Sequence, residues 1–265
     1  MIIDFHTHVF PEHMAKKTLP DLNRKAGIPY FSDGSVKGLL SSMREAGIDI
    51  SVVSRITTKP AQVESVNRWM EDIRQDSISS MATWHPELEV DDKMILDLKS
   101  RGFKCVKLHP DYQGFYINDQ RMFPFYEAAQ TAGMPILFHA GLDNGLPPPV
   151  HATPQKLIEI HKAFPGLPII AAHMGGEDNY EETEEYLLGK GIYLDTSFVL
   201  RKMPVSILER FMNKHPVHRI LFGSDSPWTD QALELKYLFS LPFLKEDEKE
   251  LIAGINAARL LGLSM

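Results

Sequence analysis

Residues 135–176 read PILFHAGLDNGLPPPVHATPQKLIEIHKAFPGLPIIAAHMGG. A short apolar run, PILFHA, opens the stretch. PQKLIEIHKAFPG then has the spacing of an amphipathic helix that stops at Pro-Gly, and a second apolar run, PIIAAH, follows. Strand, helix and strand in that order make one crossover unit, and strands apolar at nearly every position suit a parallel sheet buried on both faces. The same alternation extends in both directions. Apolar segments begin near Ile2, Ile48, Ile78, Phe103, Pro135, Pro168, Gly191 and Arg219, with gaps of 46, 30, 25, 32, 33, 23 and 28 residues. Those gaps centre on the ~30 residues of a strand plus its crossover helix.

Eight units in 265 residues predict an α/β fold, a distorted (β/α)8 TIM barrel filling residues 1–265 as one domain. An open doubly wound sheet is the second choice. The longest gap carries Pro11, Pro20, Gly27, Pro29 and Gly34, so residues 9–34 are expected to form a lid over the mouth. After the last strand, residues 226–265 read as two helices around a break at Pro242.

Composition narrows the class. Hydrophobic content of 43% supports a full core, and the single cysteine excludes internal disulfides and cysteine-built metal clusters. No apolar run is long enough to span a bilayer, and Met-Ile-Ile-Asp lacks the basic start of a signal peptide. A cytoplasmic protein is expected. With 28 basic and 35 acidic residues the net charge is −7, which argues against nucleic-acid binding. The expected partner is a small-molecule substrate, with no membrane and with homodimerisation left open.

In a barrel the C-terminal ends of the strands face the active site. Titratable residues collect there: Asp4-Phe5-His6-Thr7-His8, Lys107-Leu108-His109, His139, His173, Asp195 and Ser224-Asp225-Ser226. His6 and His8, two apart on a strand and about 7 Å along it, project to the same side. A third imidazole from His139 and the carboxylate of Asp225 make a nitrogen and oxygen set suited to one divalent metal, most simply Zn²⁺.

The motifs IIDFHTHVFP, VKLHP, LFHAG, AAHMGG, LDTS, LFGSDSPW and INAARLLGL, in this order, resemble the amidohydrolase superfamily over essentially the whole chain. The resemblance is to the amidohydrolase-related branch that includes aminocarboxymuconate-semialdehyde decarboxylase. It implies a metal-dependent barrel in which His6, His8, His139 and Asp225 bind the metal and His173 assists catalysis. Binuclear relatives carry a glutamate or carboxylated lysine on the fourth strand, where this chain has Lys107. Lys107 is read here as a cation for a carboxylate or the substrate, so one metal is favoured over two.

Catalysis is assigned to Asp225 and His173, with substrate contacts from Arg55, Trp84, Lys107 and His109. An arginine holds a carboxylate bidentately, and a tryptophan stacks on a planar ring. The reading is hydrolysis of an amide, lactone or ester, with non-oxidative decarboxylation of an unsaturated or aromatic acid as the alternative. A non-enzymatic barrel would show no metal-dependent activity. Asp225 also reads as a helix N-cap, and Asp195 as a carboxylate that orients a histidine. His85 is a mouth residue. His13, His151, His161, His215 and His218 are taken as solvated or capping, Cys105 as a core filler, and the acidic run Glu177 to Glu185 as a solvated helix face.

Overall fold

The computed structural model describes residues 1–91 and 93–263. Asp92 and the last two residues of the expected domain lie outside the described residues. Among the described residues nine strands run in chain order: β1 (Ile3–Thr7), β2 (Ile50–Val53), β3 (Ile78–Ser80), β4 (Ala82–Thr83), β5 (Val106–Leu108), β6 (Ile136–Phe138), β7 (Ile169–Ala171), β8 (Tyr193–Asp195) and β9 (Ile220–Leu221). Every strand pair is parallel, in the orders β1-β2-β3 and β4 through β9.

Seven of the eight expected segments appear as single strands. The third is split at Met81 into β3 and β4, and Met81 bridges the break: its amide donates to Val53 while Ala82 donates to Cys105. At the other seam the backbone amides of Phe5, His8 and Asp225 bond the carbonyls of Phe222, Ser226 and His6 respectively, joining the last strand to the first. The architecture is a TIM barrel.

The period-two alternation of each strand sorts its side chains. Leu137 and Ile170 turn inward to a core with Ile3, Phe5, Val52, Cys105 and Leu221. Their neighbours Ile136, Phe138, Ile169 and Ala171 turn outward under the helices. Ala257, Ala258 and Leu261 of the last helix, Asn256–Leu261, join the inner core. Burial raises the Cys105 thiol to about 12, as fits a filler rather than a nucleophile.

Helices follow the expected segments, among them Val36–Ala46, Val63–Asp72, Phe123–Thr131, Pro154–Ala163 and Val205–Lys214. Ser35 and Thr153 cap two of them through side-chain oxygens. The tail has the expected break, with helix Gln231–Ser240 ahead of it and helical residues from Glu246 to Leu261 beyond it. Residues 9–34 contain the helix Glu12–Ala26, anchored by buried Ala15 and Leu19.

Candidate metal centre and substrate cavity

A register irregularity between Asp4 and Thr7 decides where the first motif points. Ile3 and Phe5 fill the barrel interior, and beyond the irregularity His6 and His8 line a cavity of about 290 Å³ at the strand C-termini. Gly223, just past the end of β9, makes room, since a Cβ there would stand 2.9 Å from that of His6.

His6, His8 and Asp225 each bring one ligand atom to within 4.8 Å of the others. Their outer hydrogen bonds orient the rings. His6 Nδ1 donates to Asp195 Oδ2 at 2.9 Å, leaving Nε2 as a lone pair 3.7 Å from Asp225 Oδ1. His8 Nδ1 donates to the Ser54 carbonyl at 3.1 Å, leaving its Nε2 lone pair 3.0 Å from the same oxygen. Acceptors facing one another at that separation repel unless a cation stands between them. The set therefore fits a divalent ion, and Asp195 does the orienting expected of it. Burial, then Lys107, depresses His6 to about 4, so its ring stays neutral as a ligand requires.

His139 stands apart from that trio and is grouped instead with His109 and Asp143. Its Nδ1 is 3.0 Å from His173 Nε2, and its Nε2 is buried with no partner among the described residues. His173 Nδ1 donates to the Ser197 carbonyl at 3.0 Å, so the His173 nitrogen facing His139 is basic. His109 and His139 stack in parallel, 4.0 Å apart and 9° from coplanar. Lone pairs of parallel stacked rings do not converge, so this second group is a poor chelate.

Lys107 is 1% exposed, with Nζ 3.1 Å from His6 Nε2. Among the described residues it makes no carboxylate pair within 4.0 Å, and burial lowers its ammonium to about 8. Arg55 lines the cavity with its guanidinium over Phe10 at 4.9 Å and Trp69 at 5.5 Å. It too has no carboxylate partner among the described residues, and burial lowers it to about 10. His109 lines the cavity with Nε2 on Asp143 at 3.2 Å and Nδ1 accepting from the Tyr112 amide at 3.5 Å, so both ring nitrogens are engaged.

Trp84 is a correction. It is 1% exposed, stacks on Phe125 at 4.2 Å and donates Nε1 to Met94 Sδ, so it belongs to the core under the helices and does not line the cavity. Trp228 lines it instead. His85 is buried away from the cavity. His215 is neither solvated nor exposed: buried, it accepts from the Gly189 amide and donates to the Ile192 carbonyl, and burial depresses it to about 4. His151 pairs with Asp111 at 2.7 Å.

Glu177 corrects the solvated-face reading of the acidic run, because it is 8% exposed and lines the cavity. Asp143, Asn144 and Phe198 also line it and had gone unread. The signals for Asp143, Asn144 and Glu177 lay in Asp143-Asn144-Gly145 and Gly175-Gly176, turn sequences that follow the histidines just past β6 and β7; Phe198 carries no such signal.

Fold and site together define a TIM-barrel protein whose strand ends carry a histidine and carboxylate cluster able to hold a metal. The chain belongs to the amidohydrolase family, whose model matches residues 3–263. It is similar to an uncharacterized TIM-barrel protein from Bordetella bronchiseptica (20% identity, 98% of each chain covered, TM-score 0.73). It is also similar to 5-carboxyvanillate decarboxylase from Sphingomonas paucimobilis (16% identity, 99% of each chain, TM-score 0.71). A probable 2-pyrone-4,6-dicarboxylic acid hydrolase from Acinetobacter baumannii matches at 17% identity over 99% of each chain, with TM-score 0.68. No curated protein matches the chain. Among the described residues no helix is long and apolar enough to cross a membrane.

Proposed function

We propose that this protein is a metal-dependent hydrolase acting on the carbonyl of an amide, lactone or ester in a small carboxylate-bearing substrate. The observation that carries the reading is the convergence of His6 Nε2, His8 Nε2 and Asp225 Oδ1, their rings held by Ser54 and Asp195 so that only acceptors face inward. His6, His8 and Asp225 would hold one divalent ion, most simply Zn²⁺, and the unpartnered Nε2 of His139 is the donor we assign to a fourth position. When bound, such an ion supplies Lewis acidity that acidifies water and polarises a carbonyl oxygen.

Asp225 accepts the proton of the attacking water, and His173, with Nε2 basic, is the second acceptor. Arg55 holds the substrate carboxylate, for which no protein carboxylate competes among the described residues. Phe10, Leu22, Ala26 and Ile28, from the 9–34 segment that we assign as the lid, give the substrate body an apolar wall that limits water.

A second reading is favoured by the buried Lys107 and the half-buried Arg55, two cations that suit an acid that loses carbon dioxide, and both a decarboxylase and a probable hydrolase are among the structural relatives. The test incubates zinc-loaded protein with carboxylate-bearing esters, lactones and amides, and separately with aromatic carboxylic acids. Acid release supports hydrolysis and carbon dioxide release supports the second reading. Asp225→Asn should abolish turnover with the fold intact, and undiminished turnover refutes the assignment.

A further inference from the structure

The turn after β7 carries a carboxyl group into the cavity that the mechanism above leaves unused. His173 and Met174 have φ of 58° and 53°, and Gly175 and Gly176 continue at 91° and 156°, so four successive residues take conformations that L side chains rarely adopt. This turn folds Glu177 back beside the loop after β6. There Gly141 and Glu177 form an isolated parallel bridge, and the Glu177 amide donates to Ala140. The approach demands glycine: a Cβ on Gly141, itself at φ 82°, would stand 2.4 Å from the Glu177 nitrogen.

The side chain is placed as firmly as the backbone. Glu177 is 8% exposed and lines the cavity, with Oε1 accepting from Asn144 Nδ2 at 3.1 Å. No cation lies within 4.0 Å of it among the described residues; the charges felt from farther off are those of His173 and Lys202 and the opposite one of Asp178. Burial raises its carboxyl above the ordinary glutamate value, despite the opposing influence of His173, Asn144 and Lys202. A buried carboxyl without an ion pair, open to the same cavity as the ligand trio, is equipped to give up a proton inside it.

We infer that Glu177 is the proton donor to the leaving atom, a further catalytic residue of the hydrolysis proposed above, on which this inference rests. The oxygen of water bonds to the acyl carbon as Asp225 takes its proton. The bond from that carbon to the leaving oxygen or nitrogen then breaks, and its electron pair stays on the leaving atom. Glu177 gives that atom its carboxyl proton and becomes a carboxylate, and the proton held by Asp225 returns to it through solvent. Water is consumed, an acid and an alcohol or amine are released, and nothing is oxidised or reduced.

The test compares two acetate esters that each carry a carboxylate for Arg55 and differ in the need for a proton. The phenol leaving from 3-acetoxybenzoate is weakly acidic, whereas the nitrophenol leaving from 5-acetoxy-2-nitrobenzoate departs without protonation. With zinc-loaded protein, Glu177→Gln should lower kcat/KM on the first ester by about 100-fold or more, the worth of a general acid, and on the second by less than about threefold. Glu177→Asp, which keeps the acid, should restore part of the loss. Equal losses on both esters, or no loss on the first, overturn the assignment while leaving the hydrolase reading in place. Wild-type protein that cleaves neither ester overturns this inference, and the hydrolase reading falls with it when no lactone or amide is cleaved either. Thermal melts of the two variants within a few degrees of wild type show that the fold is retained.

Discussion

Replacing Asp195 by asparagine tests the orientation of the metal ligands without changing their number. Asp195 divides its oxygens. Oδ1 accepts from the His173 and Ser197 amides at 3.1 and 3.0 Å and from the Ser197 hydroxyl, while Oδ2 faces His6 Nδ1 at 2.9 Å. An asparagine keeps its carbonyl oxygen where three donors converge, so its NH₂ group takes the Oδ2 position and points a donor at His6. The ring must then move its proton to Nε2, which removes the lone pair aimed at the metal, or leave two N–H groups facing each other. Loss of such an outer partner lowers metal affinity by about 10- to 100-fold, roughly 1.4–2.7 kcal/mol, and the tautomer switch puts Asp195→Asn at the upper end. Zinc affinity measured by competition with a chromophoric chelator, alongside a thermal melt of the metal-free protein, reads this out. Affinity within threefold of wild type would refute the reasoning, because His6 would then not depend on Asp195 for its proton.

Three further outcomes follow from the contacts. Arg55→Gln should raise KM for carboxylate substrates by about 10- to 100-fold with little change in kcat, the worth of a hydrogen bond to a charged group, and an unchanged KM would remove Arg55 from the substrate. Trp84→Ala should cost about 3–5 kcal/mol in denaturant unfolding and leave KM unchanged, since the ring is 1% exposed and stacked on Phe125. Glu234 is buried and raised to about 7, with Arg201 and Lys202 only partly offsetting burial, so the folded state holds its proton more tightly than the unfolded state does. Stability should therefore be highest below the unfolded value near 4.5, fall as pH rises to about 7 and stay low above it, a loss on the order of 1–3 kcal/mol. Glu234→Gln should flatten that fall in melts taken from pH 4.5 to 8, and an unchanged slope would assign it to other groups.

Much of the barrel was legible because a parallel strand buried on both faces must be apolar at each position, and its crossover helix sets the spacing to the next. Met81 escaped because the break only changes which neighbouring strand each amide bonds, and nothing in Ile78 to Thr83 marks that change. Trp84 was misplaced because nearness to a strand end does not fix the face, and its ring turns out to Phe125. The ligand trio was legible from spacing, since His6 and His8 are two residues apart on one strand and Asp225 follows closely on the last strand. Glu177 was hidden by the positive-φ turn from His173 to Gly176, which carries the first residue of an acidic run into the cavity and leaves the others outside. His215 was hidden because its burial depends on contacts to Gly189 and Ile192, far away in the chain. Asp195 bonds a histidine 189 residues away, and only its place at a strand end gave it away.

The central claim is that His6, His8 and Asp225 hold a catalytic divalent ion. Anomalous scattering above and below the zinc absorption edge, from crystals grown with zinc, tests it most directly. A zinc peak is expected in contact with His6 Nε2, His8 Nε2 and an Asp225 oxygen, absent in Asp225→Asn crystals. Zinc bound elsewhere in the cavity, with those three atoms unliganded, would contradict it.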